Sequence, residues 1–98
     1  MFVNIIKTCR EVVAICDSEL VGRKFEQDNL QLDVKESFFK GNEVSKEELI
    51  EILDDMSKED ATFNIVGKES VSIALEEGLI SKDGVKTIQG IPYALVLM

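Results

Sequence analysis

Thr62-Phe63-Asn64-Ile65-Val66-Gly67-Lys68-Glu69-Ser70-Val71 decides the fold, because a strand gives way to a helix at a single glycine. Thr62 to Val66 reads as a short β-strand ending at Gly67. From Lys68 to Glu77 the apolar residues Val71, Ala74 and Leu75 recur at helical spacing, and Gly78 supplies a C-cap. A strand, a glycine and a helix in that order call for a sheet with helices packed on it.

On the N-terminal side of this unit, Ser45-Lys46-Glu47-Glu48 forms a capping box, in which the Ser45 hydroxyl and the Glu48 carboxylate satisfy each other's orphan N–H groups. The helix it opens carries an apolar stripe of Leu49, Ile52, Leu53 and Met56 and ends near Ser57. Earlier still, Phe2 to Lys7 and Val12 to Cys16 are β-rich runs separated by a hairpin-length polar interval, Thr8 to Glu11. Both carry apolar residues on each face, which places them near the middle of a sheet. Asp17 is expected to cap a single turn by accepting from an N–H near Leu20, with Gly22 ending that turn in the left-handed conformation. Leu30, Leu32 and Val34 alternate with Gln31 and Asp33 as a half-buried strand. Ser37 to Gly41 reads as a turn whose phenylalanines plug the core edge. On the C-terminal side, Val85 to Ile88 and Tyr93 to Leu97 are strands divided by Gly90-Ile91-Pro92, where proline marks a bend or an edge. The sum is an α+β protein of one domain over residues 1–98. It is expected as a two-layer sandwich of a mixed, mainly antiparallel sheet with two to three helices.

Composition removes whole classes of chemistry. The 98 residues include no histidine and no tryptophan, so a Ser-His-Asp triad, a Cys-His pair and a histidine-bound zinc are excluded. No apolar run approaches the ~20 residues of a membrane span, and Lys7, Arg10 and Glu11 interrupt the N-terminus before a signal-peptide core can form. The expectation is a cytoplasmic protein with free thiols. Cys9, in the hairpin turn, lies too far from Cys16, at the far end of its second strand, for a bridge.

Four features can carry function. The Asn64 to Ser70 turn presents N–H groups at a helix start, so Gly67 with Lys68 as counter-charge can receive a phosphate or carboxylate. The longer glycine loop and Lys-Ser/Thr pair of a P-loop are absent, and Glu69 opposes an anion. The plain alternative is a tight turn that lets helix and sheet pack closely. Cys16 precedes Asp17 and Glu19, acids that raise a thiol's pKa, so it reads as a small core hydrophobe rather than a nucleophile. Asp17 and Glu19 also offer oxygen ligands to magnesium, but carboxylates two apart on a turn are commonplace, and neither a metal nor a cofactor is assigned. Tyr93, the only tyrosine, stands beside a rigid bend; exposed it can stack on a base or offer its hydroxyl, and otherwise it is an amphipathic core residue.

Charge is the fourth. Of the net −8, the segment from Glu43 to Asp60 holds eight acids against Lys46 and Lys58, a balance of −6 that leaves −2 elsewhere. Glu47, Glu51, Asp54 and Asp55 mark this helix as a docking face for a basic protein or ribonucleoprotein partner, against the simpler reading of a solvated face. Direct contact of that face with nucleic acid is disfavoured, because phosphates need clustered Lys and Arg.

Four motifs in this order resemble a known family: Cys16-Asp17-Ser18-Glu19-Leu20-Val21-Gly22, Asp33-Val34 before Phe38-Phe39-Lys40-Gly41, Asn64-Ile65-Val66-Gly67, and Gly90-Ile91-Pro92-Tyr93-Ala94. The chain resembles, over nearly its whole length, the archaeal domain-of-unknown-function family four-twenty-four. The resemblance implies a small stand-alone archaeal cytoplasmic protein without an established activity, associated at most loosely with translation or RNA-related machinery. Where the family commonly has histidine in a Gly-x-Pro-His-Ala pattern, this chain has Tyr93. A phenol with a pKa near ~10 suits hydrogen bonding or stacking better than proton transfer at pH 7. The expectation is therefore a non-enzymatic binding or adaptor module, its ligand surface built from Asp17, Glu19, Asn64, Gly67, Lys68 and Tyr93. A small nucleotide- or phosphate-ligand-binding enzyme is the alternative. A structural oligomer subunit, with Ala94 to Met98 as an edge, is a third reading.

Overall fold

The β1 strand (Phe2–Lys7) and β2 (Glu11–Cys16) form an antiparallel hairpin in which Phe2 pairs with Cys16 and Lys7 with Glu11. The computed structural model describes residues 1–97; Met98, the end of the expected edge segment, lies outside the described residues. After β2 come a 3₁₀ turn (Ser18–Leu20), β3 (Lys24–Gln27), β4 (Leu30–Asp33), α1 (Glu36–Phe39), β5 (Asn42–Glu43) and α2 (Lys46–Ser57). The chain closes with β6 (Thr62–Val66), α3 (Lys68–Glu76), a second 3₁₀ turn (Lys82–Gly84), β7 (Lys86–Ile88) and β8 (Ile91–Val96).

Six strands make one sheet in the order β5-β1-β2-β6-β8-β7. Only the central β2–β6 pair is parallel, so the sheet is mixed and mainly antiparallel and the fold is α+β. The α2 helix starts at the expected capping box, with the Glu48 N–H donating to Ser45 Oγ and the Ser45 N–H to Glu48 Oε1, each at 3.2 Å.

Alternation along the central strands sorts the core into two clusters. Val13, Ile15, Phe63 and Ile65 point to one face, where Leu49 and Leu53 of α2 and Val71, Ile73 and Ala74 of α3 cover them. Ala14, Cys16 and Val66 point to the other, under Leu20, Phe25, Val34 and Phe39. The second face thus has its own partial cover of α1, the first 3₁₀ turn and the β3–β4 hairpin, which is a separate two-stranded sheet. Sequence periodicity does not reveal β3: Lys24-Phe25-Glu26-Gln27 buries a single residue, Phe25, and its partner β4 leaves Leu30 51% exposed. Gln89 ties this hairpin to the sheet, its N–H donating to Gln27 Oε1 at 2.7 Å and its amide to the Glu26 carbonyl.

Pro92 sits inside β8 rather than beyond its end. It lies one residue past the β6–β8 ladder, which stops at the Val66–Tyr93 pair, and its carbonyl accepts the Gly67 N–H at 2.8 Å. Its missing N–H therefore breaks no bond with β6. On the other side β8 pairs with β7 only from Ile91 to Tyr93. No helix is long and apolar enough to cross a membrane among the described residues.

Candidate functional site

Because β2 and β6 run parallel, both end at one level, where Cys16 pairs with Val66. The Asp17 N–H extends that register by donating to the Val66 carbonyl at 3.0 Å. Asp17 is thereby delivered to the start of α3. Its Oδ1 accepts the Ser70 N–H at 2.9 Å and the Ser70 hydroxyl at 2.7 Å, and its Oδ2 accepts the Glu69 N–H at 3.1 Å. A buried carboxylate facing the positive end of a helix, with three donors, is a favourable charge-assisted arrangement. Gly67 makes room for it: its φ is +111°, and a Cβ there would lie 2.3 Å from Asp17 Cγ.

This geometry corrects the local reading of Asp17. Within the Ser18–Leu20 turn only its backbone carbonyl is used, accepting the Leu20 N–H at 3.0 Å, while its side chain caps a helix 53 residues away. It also bears on the phosphate reading, since the Glu69 and Ser70 N–H groups that would hold an anion already donate to Asp17. Among the described residues no group of three or more Cys, Asp or Glu is placed to hold a metal ion.

Cys16 is fully buried, and its thiol is pushed up to about 12, first by burial and then by the neighbouring Asp17 charge. Glu19 is exposed on the 3₁₀ turn. Lys68 is exposed on the first turn of α3 and shares a shallow concavity with Lys46 and Glu76, which pair with each other at 3.5 Å. The expected ligand residues therefore divide. Asp17 and Gly67 form a closed joint, Glu19 and Lys68 lie at the surface, and Asn64 and Tyr93 meet elsewhere.

They meet on the sheet face turned away from α2 and α3. There Asn64 is paired with Leu95 and Val66 with Tyr93, so the side chains of these four share one side. The cover stops short of Asn64, leaving a groove of about 420 Å³ between β6–β8 and the Leu32 to Phe39 segment. Tyr93, Leu95, Phe38 and Leu32 supply apolar wall, while Asn64, Lys35 and Asp33 are its polar side chains. Phe39 is buried as the expected plug, whereas Phe38 stays half-buried and meets it edge-on at 5.0 Å. Lys35 and Leu95 carry no sequence signal for this role; only the strand register brings Leu95 beside Asn64.

Glu47, Glu51, Asp54 and Asp55 are all exposed on α2, across the sheet from the groove. The Asp54–Lys58 pair at 3.4 Å is solvent-exposed and neutralises little of the face.

The family model described as Protein of unknown function (DUF424) matches residues 6–98. The chain belongs to this family. The Asp17–Gly67 joint and the Asn64–Tyr93 groove of this DUF424 member both fall inside the matched span. Its fold is similar to the crystal structure of an uncharacterized conserved protein from Methanopyrus kandleri, with a TM-score of 0.78 and 23% identity, covering 97% of this chain and 88% of that one. No curated protein matches the DUF424 chain.

Proposed function

We propose that the protein is a non-enzymatic binding or adaptor module of the archaeal cytoplasm, with two separate working surfaces. The groove holding Asn64 and Tyr93 takes a ligand, and the acidic face of α2 docks on a basic protein or ribonucleoprotein partner of the translation or RNA-related machinery. The observation that carries this reading is the groove itself: an apolar concavity with a few polar groups, within the roughly 300–1,000 Å³ of small-ligand pockets, left open beside the cover of Leu20, Phe25, Val34 and Phe39. Two further features favour binding over catalysis. The best-placed carboxylate, Asp17, spends its acceptors on α3, and the thiol beside it stays protonated at neutral pH.

Affinity capture from an archaeal lysate tests the two surfaces together. The wild type is compared with a variant carrying lysine at Glu47, Glu51, Asp54 and Asp55, and with Tyr93→Ala. Each variant should lose a different subset of captured species. Identical sets from all three proteins sink the reading.

A further inference from the structure

Asn64 occupies the middle of β6, a strand paired on both sides, where asparagine is a poor strand former. Asn4 stands in the same row across the sheet and donates its amide to the Phe38 carbonyl at 2.8 Å. The Asn64 amide has no hydrogen-bond partner among the described residues and opens into the groove. Beside it the Tyr93 ring and a Leu95 that is 58% exposed present apolar surface, with Phe38 on the facing wall. Lys35 lines the groove. Lys86 is the register partner of Tyr93 and so shares its side of the sheet. Neither lysine has an ion pair among the described residues; Asp33 is the one acid on the lining. The acid-rich α2 lies behind the opposite face of the sheet.

An occupant must give a donor and an acceptor to one amide, lie flat on an aromatic and a leucine, and tolerate cations at the mouth. A purely apolar side chain fails the first condition, because closing the groove would strand the Asn64 amide without water or partner. Adenine meets all three. Its N6 amine and N7 form a bidentate pair with an asparagine amide, its ring stacks on tyrosine, and its phosphate seeks lysine. We infer that the groove binds an adenine base, carried by a free nucleotide or by a single strand, with Asn64 reading the base edge, Tyr93 stacking on the ring and Lys35 and Lys86 meeting the phosphates. This rests on the groove being the ligand surface proposed above.

Nitrogen-edited NMR titration of the 11.0 kDa protein with AMP, rA6 and rU6 tests it. Shifts should centre on Asn64, Tyr93 and Leu95, with rA6 bound about tenfold more tightly than rU6. Shifts with AMP alone identify a free nucleotide as sufficient, and shifts with rA6 only identify a strand; either supports the inference. Asn64→Leu should erase the preference for rA6. Tyr93→Ala should weaken both hexamers by about tenfold, and Tyr93→Phe should restore them. If Tyr93→Ala loses spectral dispersion, the doubly exposed variant Lys35→Glu with Lys86→Glu replaces it; its affinity should fall and its salt dependence flatten. Absent groove shifts with both AMP and rA6, or an rA6 preference untouched by Asn64→Leu, overturns the inference. If that happens while Tyr93→Ala still changes the captured species, base recognition falls and the binding-module reading stands; if neither changes, both fall.

Discussion

The two faces of the central sheet are built to different standards of closure. On the helix side, β-strand positions such as Val13 and Phe63 are fully buried under α2 and α3. On the other side a four-residue helix and a marginal hairpin cover the sheet only as far as Ala14, Cys16 and Val66, and the next positions out, Asn64 and Leu95, stay open. Polar residues follow the same division. Asp17 is 4% exposed with its carboxylate accepting three hydrogen bonds, while the Asn64 amide has no partner among the described residues. The closed face carries most of the core, and the open face is the one that bears the proposed ligand groove.

Truncation on the two faces should give the widest split. Phe63→Ala empties a fully buried aromatic site and should cost about 3–5 kcal/mol. Leu95→Ala, on the open face, should stay within about 1 kcal/mol of wild type. Urea unfolding of both measures this, and similar midpoints would break the contrast.

A smaller effect comes from the joint at the start of α3. Asp17→Ala strands the Ser70 N–H and hydroxyl and should cost about 2–3 kcal/mol. Gly67→Ala forces a Cβ onto the same carboxylate and should cost about as much. In the double variant the collision is gone, so the combined loss should fall short of the sum of the two. Strict additivity in a double-mutant cycle would show that glycine and carboxylate do not act as one unit.

The last contrast is a titration. Folding raises the Cys16 thiol from 9.0 to about 12, so over that interval the folded state holds a proton that the unfolded chain has released. Stability should therefore be unaffected by this group below about pH 9 and decline from there towards pH 12. Cys16→Ala should flatten that limb of the pH profile. At pH 8 a thiol reagent should label exposed Cys9 in the folded protein and reach Cys16 only after unfolding.

Local patterns made much of this legible. The Ser45–Glu48 box, the α2 stripe, the β1–β2 hairpin and the strand-glycine-helix turn are each specified by residues a few positions apart, and each forms where its pattern lies. What was hidden depends on register between distant strands. Nothing near Asp17 indicates that its side chain serves α3, because that follows from the parallel β2–β6 pairing. The same pairing, continued to β8, sets Leu95 beside Asn64. The β3 strand was hidden for another reason: with one buried side chain it has almost no hydrophobic period, and it is held in place by the turn at Asp28, with φ 55°, and by the Gln89 amide.

That single parallel pairing also governs how the chain reaches its native state. The β1–β2 hairpin closes through near neighbours, but β2 acquires its second partner only after the whole intervening segment has looped back, and the Asp17–Ser70 bonds span 53 residues. Loop-closure entropy places such contacts late and makes them slow to form. On this topology the hairpin is expected to assemble first and the arrival of β6 with α3 to limit the folding rate.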